Sequence, residues 1–176
     1  MITEVSLERF IPECLDIPRF FALCEQCPNF GKRWSCPPYG FEVKKIWDSH
    51  TSILLYADKV SVPEELRSNR YSQDEINRIS KELLKPVKDR MTAFLLKTEA
   101  ETPGSIALSA GSCDICGVCS KKKGTPCLHP ERMRYSIEAL GGNVERALDL
   151  YFGEKIIWAE DGCLPEYYIL LGGLLK

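Results

Sequence analysis

The chain has 176 residues, enough for one well-buried domain, and its 23 Lys plus Arg against 25 Asp plus Glu leave a net charge of −2. That balance implies neither a nucleic acid nor an anionic membrane as partner, and no apolar run approaches the ~20 residues needed to span a bilayer. The opening Met1-Ile-Thr-Glu-Val-Ser-Leu-Glu8 carries acids where a secretory leader would carry basic residues and an apolar stretch, so a cytoplasmic protein is expected.

In chain order, Met1 to Phe30 mixes apolar residues with prolines and predicts one short helix near Leu7 to Leu15, or irregular structure. The first cysteine cassette follows, Cys24-Glu-Gln-Cys27-Pro-Asn-Phe-Gly-Lys-Arg-Trp-Ser-Cys36-Pro-Pro-Tyr39, with the spacing C-x2-C-x8-C-P-P. A proline after a cysteine turns the chain away in a set direction, and Pro37 biases Cys36 towards extended backbone. Asn29-Phe-Gly31 is a turn signal that lets the chain double back between Cys27 and Cys36. Phe30, Trp34 and Tyr39 are candidates either to shield a metal centre from water or to serve as ordinary core aromatics.

Thr51 to Ala57 reads as a buried strand. Ser72-Gln-Asp-Glu75 has the form of a capping box, and the stripe Ile76, Ile79, Leu83, Val87, Met91 and Phe94 predicts a helix to about Lys97, kinked or divided at Pro86. Pro103-Gly104 ends it, and Ser105 to Gly111 predicts a second strand that leads into the next cassette.

That cassette is Cys113-Asp-Ile-Cys116-Gly-Val-Cys119, continuing through Ser-Lys-Lys-Lys-Gly-Thr-Pro to Cys127-Leu-His-Pro130. Nine cysteines is a high number for a reducing compartment, where such spacings bind metal more readily than they form disulfides. Structural zinc ordinarily uses two separated C-x2-C pairs, which makes a third cysteine three residues on superfluous. A cubane presents iron atoms at separated corners, and C-x2-C-x2-C-x7-C-x-x-P is a looser form of the run that holds such clusters in bacterial ferredoxins. A 4Fe-4S cluster is therefore the leading expectation, with zinc as the alternative. Gly117 suits a backbone wrapping closely round it, and Lys121, Lys122 and Lys123 either offset its negative charge or are simply solvated.

The first cassette lacks a fourth thiol. Cys14, Cys163, or an exchange in which Cys127 completes the Cys24 group would supply it, and spacing does not choose among them. Glu131 to Leu140 predicts a helix ending at Gly141-Gly142, and Arg132, Arg134, Ser136 and Glu138 near its start either serve as simple helix-capping charges, the favoured reading, or offer a place for an anion. Asn143 caps a further helix over Val144 to Tyr151, and Lys155 to Ala159 with Tyr167 to Leu171 form a hairpin carrying Cys163 in its loop. Of the two histidines, His50 lies in no motif, while His129 stands two residues past Cys127.

Cys24-x2-Cys27-Pro-x7-Cys36-Pro-Pro, Gly111-x-Cys113-x2-Cys116-x2-Cys119, Pro126-Cys127-x-His129-Pro130 and Tyr135-Ser136-x-Glu138-Ala139-x-Gly141 together resemble a cysteine-rich family of predicted metal-binding proteins of unknown function from anaerobic bacteria and archaea. The resemblance runs from about Cys24 to the C-terminus. It implies metal held by Cys24, Cys27, Cys36, Cys113, Cys116, Cys119 and Cys127, and it does not extend to Cys14 or Cys163. With no repeat or linker, the expected architecture is a single α+β domain over residues 1–176, a small ferredoxin-like antiparallel sheet with helices on one face and the cysteine loops at one end. The expected function is one-electron transfer to a redox partner protein. A structural zinc interaction module, or an enzyme whose incompletely ligated cluster binds a substrate, are the alternatives.

Overall fold

The computed structural model describes residues 1–176. Four strands, β1 (Ile2–Ser6), β2 (Ser52–Ser61), β3 (Ile106–Leu108) and β4 (Tyr167–Leu175), form one sheet in the order β1-β2-β4-β3 with every neighbouring pair antiparallel. Six helices accompany it: α1 (Leu7–Cys14), α2 (Ile17–Glu25), α3 (Val43–Asp48), α4 (Glu64–Arg67), α5 (Gln73–Glu101) and α6 (Val144–Phe152). The class is α+β, as expected. No helix is long and apolar enough to cross a membrane.

The helices are divided between both faces of the sheet, where one helical layer was expected. Alternation along β2 is the cause: Ile53, Leu55 and Ala57 pack on one side with Leu7 and Phe10 of α1, Trp47 of α3 and Leu148 of α6. Leu54 and Tyr56 point to the other side, towards Met91 and Leu95 of α5. Each face therefore offers a hydrophobic surface that needs its own cover. In β4, Gly172 lets α5 sit close: a Cβ there would lie 2.8 Å from Leu95 Cδ1 and 3.0 Å from both Met91 Sδ and the Leu108 carbonyl oxygen.

Local signals act as the chemistry predicts where they are complete. Ser72 and Glu75 close a capping box, the Ser72 N–H donating to Glu75 Oε2 at 2.8 Å, and Asn143 Oδ1 accepts from the Arg146 N–H at 2.9 Å. α5 runs unbroken for 29 residues through Pro86. Pro86 is solvent-exposed, so the carbonyl of Glu82 that loses its helical donor faces water and needs no second helix to accommodate it.

Three expectations are corrected. The first segment holds the short helix read near Leu7 to Leu15, as α1, but also a strand and a second helix that were not read, because β1 has a single buried residue, Val5, and acquires its identity only by pairing with β2. Residues 131–140 are irregular apart from one 3-10 turn, Glu138–Leu140. The hairpin does not form: both edges of β4 are taken, by β2 and β3, while Lys155 to Ala159 runs along the surface with Trp158 69% exposed.

Candidate metal centres

α2 delivers the first cassette. Asp16 Oδ1 accepts from the Arg19 N–H at 3.2 Å and Pro18 occupies the first turn, so the helix starts cleanly and carries Cys24 in its last turn. Tight turns follow: Cys27 N–H donates to Cys24 O at 2.9 Å, and Phe30 N–H to Cys27 O at 3.0 Å. Gly31, with φ +67°, donates its N–H to Pro37 O at 2.8 Å, which is the doubling back that Asn29-Phe-Gly31 signalled. Cys24, Cys27 and Cys36 then line one pocket with Phe30, Pro37 and Glu138.

β3 delivers the second cassette. Cys113, Cys116, Cys119 and Cys127 line a second pocket together with Trp34, His129 and Met133. Its wall is shared with the first cassette, because the two loops are bound to one another. Cys113 N–H donates to Ser35 Oγ at 3.1 Å, Arg33 donates to the Cys113 carbonyl, and Trp34 Nε1 donates to Ser120 Oγ and to Thr125 O, each at 3.2 Å. Lys121 Nζ reaches back to Arg33 O and Cys36 O at 3.2 Å each and lies over the Trp34 ring. Lys121 is thus a tie between the loops, whereas Lys122 and Lys123 are exposed. From the other side Lys88 of α5 donates to Ser112 O at 2.7 Å and pairs with Asp114 at 3.2 Å. Arg33, Lys88 and Lys121 surround the cysteine loops with positive charge. Gly117 has an ordinary φ, and a Cβ there would meet no protein atom within 4 Å.

All nine cysteines are free thiols. Seven divide between the two pockets as a trio and a quartet. The other two do not join them: Cys14 is 2% exposed on the inner face of α1, and Cys163 sits in a turn against Leu164 and the Tyr71 segment. Neither lines the pocket of the trio, and Cys127 lines the pocket of the quartet. Burial pushes the thiols of Cys24, Cys36 and Cys113 up from their ordinary range, with the neighbouring Cys27 and Cys36 adding to the effect at Cys24. Metal binding at these positions has to displace protons.

Two further findings choose between the alternatives around the loops. Arg134 is not an anion-binding group at a helix start: its guanidinium is spent on Glu99 of α5, Nε donating at 2.9 and 3.0 Å to the two carboxylate oxygens. The aromatics also separate by role. Trp34 and Phe30 border the two pockets, while Tyr39 stacks on Phe41, meets Tyr135 edge to face and donates its hydroxyl to Ser35 O at 2.9 Å.

A family model described as a predicted metal-binding protein (DUF2284) matches residues 16–162. The chain belongs to that family. No curated protein and no solved structure matches this predicted metal-binding protein. The residues present fit thiolate-held metal by the chemistry of their donors, soft sulfur in sets of three and four with no competing disulfide. No three Cys, His, Asp or Glu side chains close to the spacing that one bare ion demands; the sulfurs border spaces and do not meet at a point.

Proposed function

We propose that this protein is a cytoplasmic iron–sulfur protein that passes single electrons to or from a partner protein, with Cys113, Cys116, Cys119 and Cys127 holding a 4Fe-4S cluster. The observation that carries this reading is the shared pocket of those four cysteines, joined to a ligand spacing that presents thiolates to successive corners of a cubane. The rim supports it: Val118 is 61% and Leu128 65% exposed beside the ligands, apolar surface suited to a transient partner that must approach a cluster closely. The nearby cations Arg33, Lys88 and Lys121 offset the negative charge of a thiolate-ligated cluster and favour its reduced state.

Anaerobic purification, with iron, acid-labile sulfide and zinc counted per chain, tests this. Iron and sulfide in equal amounts, with an electron paramagnetic resonance signal on reduction, are expected. Stoichiometric zinc with no sulfide would make the chain a structural zinc module instead.

A second reading is favoured by the trio. Cys24, Cys27 and Cys36 share a pocket with no fourth thiol, and a broad cleft of about 550 Å³ lies alongside, between α5 and residues 156–159. A cluster held by three thiolates leaves one iron for an exchangeable ligand, the arrangement of an enzyme that binds substrate at a cluster.

A further inference from the structure

Glu138 lines the same pocket as Cys24, Cys27 and Cys36. Its carboxyl oxygen Oε2 is shut off from solvent and has no hydrogen-bond partner. Buried carboxylate oxygens are ordinarily paired, because an unpaired one forfeits its hydration and receives nothing in return. The cations that might pair it are engaged elsewhere, Lys88 with Ser112 O and Asp114, and Arg134 with Glu99.

The backbone holds Glu138 where it is. Its neighbours Ile137 and Leu140 are fully buried in the main core, and the Gly142 N–H donates to Ile137 O at 2.8 Å, closing the turn. Gly141 follows with φ +86°, and a Cβ on it would lie 2.6 Å from Ile17 Cγ1 of α2, the helix that carries Cys24. The turn bearing Glu138 and the helix bearing Cys24 are therefore packed in direct contact.

We infer that Cys24, Cys27, Cys36 and the Glu138 carboxylate form a second metal centre, in which glutamate oxygen takes the corner that a fourth cysteine would otherwise hold. This rests on the iron–sulfur reading above. An oxygen ligand among three sulfurs makes one iron chemically distinct from the others. Glu138 also forms part of the wall of the broad cleft, so that distinct iron is the one nearest to whatever the cleft binds.

The test compares anaerobically reconstituted wild type with Glu138→Ala and Glu138→Cys by iron and sulfide content, electron paramagnetic resonance and Mössbauer spectroscopy. Wild type is expected to hold two clusters, one of them with a single iron of distinct isomer shift. Glu138→Ala is expected to lose that iron and give a three-iron signal on oxidation, with the quartet cluster's spectrum unchanged as internal control of folding. Glu138→Cys is expected to restore four equivalent irons at a more negative potential. A wild-type second cluster whose four irons are alike overturns the inference, even if the variants do not fold. So does full iron with unchanged spectra in Glu138→Ala, or a wild type that holds the quartet cluster alone. Absence of iron and sulfide from both pockets would instead overturn the electron-transfer reading itself.

Discussion

Cys14 lies on the same side of α1 as Leu7 and Phe10 and is sealed in the main core, whereas Cys113 and its partners line a pocket with Trp34 and His129, in a loop whose backbone carbonyls are held by Arg33 and Lys88. Residue type is identical and the neighbours differ. Burial, with the negative charge of Glu13 adding to it, pushes the Cys14 thiol from 9.0 up to about 11. Well below pH 9.0 the thiol is neutral in both folded and unfolded chains and contributes nothing to pH dependence. Above that value the unfolded chain releases its proton first, so stability falls until the pH passes the folded value of about 11. Cys14→Ala is expected to flatten that alkaline slope in urea unfolding, leaving the further loss that the half-buried tyrosines Tyr39 and Tyr151, whose hydroxyls are also pushed up, produce at higher pH. Cys14→Ser places a hydroxyl without a partner in the same space and is expected to cost about 1–3 kcal/mol. Both variants are expected to keep their full metal content, and loss of metal would show that Cys14 is a ligand after all.

At the scale of elements, two contacts decide whether the sites assemble. One is α5 on the sheet, where Gly172 leaves room for Leu95 and Met91. Gly172→Ala forces the helix or the adjacent Leu108 carbonyl to shift, and a loss of about 1–3 kcal/mol is expected, read as a lower urea midpoint with an unchanged slope. The other is the join between the cysteine loops, which have little regular structure of their own and depend on Ser35, Trp34 and Lys121 to hold them together. Lys121→Met removes three donor contacts to the carbonyls of Arg33, Cys36 and Pro38 at once. Metal affinity is expected to fall by roughly 10–100-fold, as when supporting groups around ligands are lost, measured by competition with a chelator. An unchanged affinity would show that the loops need no such tie.

For the whole molecule, the sheet and the main core are built without the cysteines that line the two pockets, apart from their flanking residues. Stripping the metal under reducing, oxygen-free conditions is therefore expected to speed amide hydrogen exchange across residues 24–38 and 112–128 while β2 and β4 keep their protection. Loss of protection throughout the sheet would mean that metal binding and folding are one event. Much of this architecture was legible beforehand. The caps at Ser72 and Asn143, the apolar stripe of α5, the strands beginning near Ser52 and Ile106 and the two cysteine cassettes are set by residues within a few positions of each other. The N-terminal strand, the short helix holding Trp47 and the true partners of β4 were not legible. Trp47, wholly buried and donating to Leu140 O at 2.9 Å, stands in a six-residue helix with no side-chain cap to announce it. β4 pairs with β2, more than a hundred positions earlier, and with β3, and Lys155 to Ala159 offered a nearer partner with an equally apolar pattern.

By itself, the amino-acid sequence determined the donor chemistry, because spacing such as C-x2-C-x2-C is a property of consecutive residues and needs no tertiary contact to be read. Only the tertiary structure decided how the donors are grouped: the quartet in one pocket, the trio in another, Cys14 and Cys163 in neither, and the carboxyl of Glu138, more than a hundred residues from Cys24, set against the trio without a hydrogen-bond partner for its Oε2. Grouping of that kind depends on how α2 packs against the turn at Gly141 and how the sheet brings the two loops together, and contacts between distant residues leave no periodic mark along the chain.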